Sequence, residues 1–394
     1  MDLSLLVVLV IALALIFDFT NGFHDTANAM ATPIATGALR PRTAVAIAAV
    51  LNLVGAFLST EVAKTISGGL IREGDGGLLI TPAMILAGLI GAIVWNLVTW
   101  LLGLPSSSSH ALIGGVVGAA LAALGSDAVN GTAIVQKVVV PAVLAPLIAG
   151  LVAILAVRLA RRLTRRAPAE GSERGFRRGQ IASAALISLA HGTNDAQKTM
   201  GIITLALIAH GTIGADAAVP TWVVLAAALA IGAGTYTGGW RIIRTMGSRL
   251  TDITPPQGFA SDTSAATVIL TASHFGFPLS TTHVASGAIL GSGVGVPGAH
   301  VRWRVAGKMA IAWVVTLPAA GLTAAAMYAL ASGIGGNAGL LIVGVLAAIG
   351  ATGIWAASRR SHVHAGNVID AGPPAPIAVV SADAHDGPAV VGAA

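Results

Sequence analysis

Residues 103–118 read GLPSSSSHALIGGVVG, and residues 276–291 read GFPLSTTHVASGAILG. They align without a gap at an offset of 173, pairing Pro105 with Pro278, Ser107 with Ser280, Ser108 with Thr281, Ser109 with Thr282, His110 with His283, Gly114 with Gly287 and Gly118 with Gly291. Upstream, Thr81-Pro82 falls on Thr254-Pro255 at the same offset. A second pair, NGFHDTANAM (21–30) and HGTNDAQKTM (191–200), matches Gly22 with Gly192, Asp25 with Asp195 and Met30 with Met200 at an offset of 170. Two offsets this close point to one duplication that carried both motifs.

The rest of the chain says what medium the duplicated unit lives in. Of 394 residues, 55% are hydrophobic and 10% charged, against roughly 25% charged in a soluble domain. Mean hydropathy is +0.84. A soluble globular domain is excluded, and so is disorder over most of the length, which requires a polar, highly charged chain. The absence of cysteine excludes disulfide frameworks, thiolate metal sites and a cysteine nucleophile. The 49 glycines suit close helix packing in a bilayer. The first apolar run carries Asp2 and continues into a polar motif, so a retained transmembrane helix is expected there and not a signal peptide.

A bilayer span needs about 20 apolar residues. On that measure the candidate segments are 3–38, 43–61, 80–102, 105–124 and 134–157 in the first half. The second half offers 180–209, 221–240, 255–275, 278–296, 305–330 and 338–357. Runs 3–38 and 180–209 each hold a central polar cluster and are expected to be interrupted; the runs flanking Pro105 and Pro278 read as helix, break, helix hairpins, some re-entrant. The formal charge of +6 is no nucleic-acid footprint, because 18 of the 22 cations are arginines gathered in short loops. Eight of them lie between Arg158 and Arg178, which places that linker in the cytoplasm. Counting outward puts Arg40, Arg42, Arg241, Arg244, Arg249, Arg302, Arg304, Lys308, Arg359 and Arg360 inside as well, with Lys64, Arg72 and Lys137 outside. The N-terminus is then outside, and the two halves enter the membrane from opposite faces.

The expected fold is an all-α polytopic membrane protein of the inner (plasma) membrane, an inverted-repeat transporter with broken helices and helical hairpins. Its parts are a first transmembrane repeat (1–157), the Arg-rich cytoplasmic linker (158–179), a second inverted repeat (180–330), a final transmembrane helix (331–357) and a disordered cytoplasmic tail (358–394). Interrupted apolar segments at matching positions of inverted halves mark a secondary transporter's midplane site.

Asp25 and Asp195 sit in apolar stretches, where a carboxylate costs roughly 2.5–3.5 kcal/mol on the gentlest scale. Their duplicated setting favours binding or exchange of coupling cations over a structural pair. Asn21 and Asn194, in the same polar clusters, join them in the coupling-ion set. Asn28 and Gln197 offer the oxygen ligands that hard cations prefer and are counted with the substrate-binding residues. Lys198 is the only cation at that depth, either a counter-ion to an aspartate or an anion ligand. Asp18 and Asp262 are equally open to structural and functional readings. The turns with Ser107, Ser108, Ser109 and Ser280, Thr281, Thr282 each open a Gly-rich helix, whose free N–H groups and dipole attract an anion. Three consecutive hydroxyls exceed what an N-cap requires. His110 and His283 either steady these turns or transfer protons.

GFHDTANAMAT and HGTNDAQKTMG, each followed by a proline, hydroxyl and histidine turn, resemble the signatures of the inorganic phosphate transporter (PiT) family over about residues 1–330. The resemblance implies a homodimeric phosphate symporter driven by protons or sodium ions, with no other cofactor. It places Asp25, Asn28, Asp195 and Lys198 on the ion and substrate motifs and the hydroxyl turns on the phosphate site. The GFHD form is more similar to bacterial members that are proton-coupled and carry metal phosphates. Leu279 departs from the pattern by replacing the hydroxyl that Ser106 supplies, and so makes the two turns unequal. A charge count agrees with symport: ionised Asp25 and Asp195 with protonated Lys198 carry −1, a phosphate dianion brings the site to −3, and low dielectric does not tolerate that total uncompensated. Rival readings are a sulfate or other tetrahedral oxyanion symporter, a passive channel and, distantly, an intramembrane aspartyl hydrolase. A Ser–His hydrolase is disfavoured because adjacent Ser109 and His110 cannot face each other on a helix.

Overall fold

A computed structural model describes residues 3–69, 73–74, 77–78 and 80–369. Within these the chain is almost entirely helical, which follows from the solvent: in lipid a span must satisfy its backbone hydrogen bonds internally. The first repeat runs α1 (Leu3–Ala35), α2 (Pro41–Gly55), α3 (Glu61–Gly69), α4 (Pro82–Leu102), α5 (Ser108–Leu124), α6 (Gly131–Ile134) and α7 (Val140–Thr164). A π-helical turn, Val135–Val139, joins the last two into one span. The second repeat runs α8 (Ala169–Ala209), α9 (Thr221–Thr237), α10 (Trp240–Ser248), α11 (Pro255–His274), α12 (Thr281–Val294) and α13 (Trp303–Ile334), and α14 (Gly336–Ser358) follows. Between α3 and α4 a minimal antiparallel ladder pairs Glu73–Gly74 with Gly77–Leu78.

The duplicated signals start and stop the same elements in both halves. Proline at the first helical position opens α4 and α11. Thr81 accepts from Met84 N, while the Gln257 side-chain oxygen accepts from both the amide and the hydroxyl of Thr254. Gly103 and Gly276, both at positive φ, end the hairpins' first limbs. The breaks therefore fall around Pro105 and Pro278, as the helix, break, helix pattern required.

Two expectations are corrected. Runs 3–38 and 180–209 are not interrupted at their polar clusters, because α1 and α8 pass through them as continuous helices of 33 and 41 residues. Several of their polar side chains bond sideways, Asn28 and Asp195 to hydroxyls of α12 among them, while the backbone keeps its own hydrogen bonds within the helix. Nor do all the apolar runs span. Among the described residues five helices are long and apolar enough, and α9 with α10, bent by 67°, is either a broken span or a re-entrant loop. The 14 and 17 residues of α12 and α5 reach about 21–26 Å at 1.5 Å per residue, short of a hydrocarbon core of about 30 Å. Arg72 and residues 370–394 of the tail lie outside the described residues.

The repeats do not sit side by side. The α4–α5 hairpin of the first repeat packs on α13 of the second, and the α11–α12 hairpin packs on α7 of the first. Likewise α1 packs on α9 and α10, and α8 on α2 and α3. Glycine makes the closest crossings possible: a Cβ on Gly118 would lie 2.2 Å from Gly321 O, and one on Gly291 2.1 Å from Gly150 O. Outward, α7 presents Val143, Leu147, Leu151 and Leu155 at i, i+4 spacing, all exposed, as a lipid-facing stripe should be.

Candidate functional site

The midpoints of α1 and α8 meet the N-termini of α5 and α12, where Asp25, Asn28, His191, Asp195, Lys198 and the hydroxyls of both turns are all buried. Each short helix begins with one hydroxyl spent on its own cap: Ser107 Oγ accepts from His110 N at 3.1 Å, and Ser280 Oγ from His283 N at 3.2 Å. The next hydroxyl in each turn donates to a carboxylate instead. Ser108 Oγ donates to Asp25 Oδ2 at 2.9 Å, and its duplicate Thr281 donates to Asp195 Oδ2 at 3.1 Å. The third pair diverges: Thr282 donates to Asp25 Oδ1 at 3.4 Å, whereas Ser109 donates to Leu279 O at 3.1 Å. The His110 and His283 rings meet edge to face with centroids 4.8 Å apart, so two helix N-termini, each a positive dipole end, converge on one place. His283 is steadied by Ala142 O at 3.2 Å and stacks on Trp313.

A histidine lies between the carboxylates. His191 Nε2 lies 3.0 Å from Asp195 Oδ2 and 4.0 Å from Asp25 Oδ2. Asn52 fixes the ring: its amide donates to Thr235 Oγ1 at 2.8 Å, so its oxygen is left to accept from His191 Nδ1 at 3.2 Å. With the Nδ1 proton thus engaged, a neutral His191 would aim its Nε2 lone pair at two carboxylates. A proton or a metal cation among these three groups removes that repulsion, and Asp25, His191 and Asp195 can each offer one ligand atom with all three within 4.8 Å of one another.

Around this centre the duplicated positions have diverged. Asp25 and Asp195 are equivalent, but His24 matches Asn194, Asn21 matches His191, and Asn28 matches Lys198. His24 Nδ1 is 2.6 Å from Asp25 Oδ1, and its Nε2 faces Thr99 Oγ1 at 3.1 Å and Ser106 Oγ at 3.3 Å. Lys198 donates to Asp195 Oδ1. Asn28 donates to the hydroxyls of Thr281 and Thr282 at 3.2 and 3.1 Å, tying α1 to the second hairpin.

The structure therefore brings together Asp25, Asp195, Lys198, Asn28, Ser108, Thr281 and Thr282. Ser109 lies beside them on the backbone of the opposite turn. Asn194 turns toward Ser273 Oγ (2.8 Å) and Phe277 O. Gln197 accepts from Val62 N and Ala63 N at the start of α3. Both amide atoms of Asn21 lack a hydrogen-bond partner among the described residues. Sequence reasoning did not place His191, His24, Thr99 or Ser106 in the site. The i, i+4 spacing of His191 and Asp195 was the readable signal; the contacts of His24 arise only from the packing of α1 on α4.

A family model described as "Phosphate transporter family" matches residues 21–172 and again 164–324. A Mycobacterium bovis protein described as "Probable low-affinity inorganic phosphate transporter" is 58% identical over 370 residues, covering 93% of this chain and 88% of the relative. A Bacillus subtilis protein of the same description is 44% identical, covering 83% of this chain and 97% of the relative. The solved structure titled "The sodium-dependent phosphate transporter" superposes with a TM-score of 0.72 at 26% identity over 82% of this chain and 98% of that one. These are transport proteins rather than enzymes, which removes the hydrolase readings. With the family model matched over both repeats and relatives covering 93% of its length, the chain belongs to the phosphate transporter family.

Proposed function

We propose that this chain is an inorganic phosphate symporter that takes up phosphate together with protons or sodium ions. The observation that carries the reading is the position of Asp25, His191 and Asp195 against the N-termini of two duplicated hydroxyl turns. The same hydroxyls that would hold an anion, Ser108 and Thr281, are donated to the carboxylates here. When cations neutralise Asp25 and Asp195, those donors and that of Thr282 are released to a phosphate oxyanion beside the two helix dipoles. Coupling then follows from competition for hydroxyl protons, and from the charge total that a dianion would otherwise create. The His191–carboxylate donor set also suits a divalent cation, which supports metal phosphate as a form of the cargo.

The proposed orientation places the Arg-rich linker and the tail in the cytoplasm. In support of it, Arg241 on α10 donates to Ser358 O and Ser361 O at the chain's C-terminal turn. Thr36 donates to Gln180, and Phe176 meets Phe259, so several arginine-bearing segments gather at one end of the molecule.

The test is uptake of radiolabelled phosphate into proteoliposomes with sodium and proton gradients imposed separately. Accumulation should depend on at least one gradient, or on a divalent metal; uptake that persists unchanged without any of them overturns symport.

A further inference from the structure

The arrangement around Asp25 and Asp195 leaves two buried carboxylates unused, and of these Asp262 accepts from Thr32 while Asp18 accepts from nothing among the described residues. Asp18 lies on α1 two turns before Asp25, fully buried, and neither of its oxygens has a hydrogen-bond partner among the described residues. Asn21, one turn on and therefore on the same helix face, has both amide atoms equally unpartnered, and Thr199 Oγ1 on the facing helix α8 is unpartnered too. The side chains of Thr199 and Asn21 face the Asp18 carboxylate, and the charges of Asp195 and Lys198 act on it. Buried polar groups are ordinarily satisfied, and an ionisable residue at membrane depth marks a functional site by default. Here four oxygens, two from Asp18 and one each from Asn21 and Thr199, stand unsatisfied across the α1–α8 contact.

The donor chemistry and the local charge say what fits. An all-oxygen set of carboxylate, carboxamide and hydroxyl suits a hard cation. Lys198 and Asp195 cancel as a pair, so an ionised Asp18 would add one negative charge that only a bound cation could balance. One positive charge neutralises it, whereas a divalent ion would place a surplus charge beside the Lys198 ammonium. We propose that Asp18, Asn21 and Thr199 form a second cation site, separate from the Asp25–His191–Asp195 cluster, that holds one sodium ion. Its position in the first repeat has no counterpart in the second, where the residue equivalent to Asp18 is Ser188, donating to Ala184 O.

The inference does not depend on where phosphate binds. It is tested with radiolabelled sodium in equilibrium binding to the purified full chain in phosphate-free buffer. Sodium binding should weaken by about tenfold or more, or about 1.4 kcal/mol, in Asp18→Asn and in Thr199→Val. The second variant exchanges a hydroxyl for a methyl of nearly the same shape and carries the test if the first does not fold. Failure to bind sodium in the wild type, or unchanged binding in Asp18→Asn or Thr199→Val, overturns the site. Failure of the phosphate reading would look different: intact sodium binding without phosphate uptake.

Discussion

At the scale of single residues, the two aspartates share a duplicated setting but not a role in stability. Asp195 is the hydrogen-bonded partner of Lys198 inside the membrane, so Asp195→Asn leaves a buried ammonium without its counter-charge, a loss of roughly 3–5 kcal/mol. Asp25 pairs with His24, which can remain neutral when the carboxylate is gone, and Asp25→Asn should cost much less. Both variants should abolish phosphate uptake. Adding Lys198→Met to Asp195→Asn should restore thermal stability in detergent without restoring transport. Equal unfolding temperatures for the two single variants, or near-normal uptake by either, would contradict this division. The sequence displayed these residues because polar groups are rare in its apolar runs. It could not display His191 between the carboxylates or Gln197 spent on the start of α3, because those contacts exist only once α8 lies against α1, α2 and α3.

At the scale of elements, Pro105, Pro278 and the glycines just before them mark the hairpin breaks, and these were legible because proline and positive-φ glycine act through the backbone alone. The continuity of α1 and α8 was not legible, since the satisfaction of their polar midsections is decided by other helices. The crossing of α5 on α13 and of α12 on α7 rests on backbone-to-backbone approach. Gly118→Ala and Gly291→Ala should each destabilise by about 1–3 kcal/mol through overpacking. Gly131→Ala, whose added methyl meets nothing within 4 Å, should be close to neutral. Thermal unfolding of the three purified variants checks the contrast, and a similar loss in all three would remove glycine packing as the explanation.

At the scale of the molecule, duplication was readable from two offsets, but the exchange of helices between the repeats was not. Because each hairpin covers a helix of the other half, residues 1–164 or 165–394 expressed alone should fail to yield stable protein in the membrane, while co-expression of the two should recover stable protein and phosphate uptake. Stable accumulation of either half alone would contradict the interlocked packing. The same interlock constrains ancestry. A one-repeat precursor with these faces could bury its seam only against an identical copy inserted upside down, so it must have entered the membrane in both orientations. Fusion of two such copies freed the matched positions to drift apart. The mismatched pairs His24 and Asn194, Asn21 and His191, and Asn28 and Lys198 are the record of that division of labour, in which one gene came to hold two formerly identical half-sites with different chemistry.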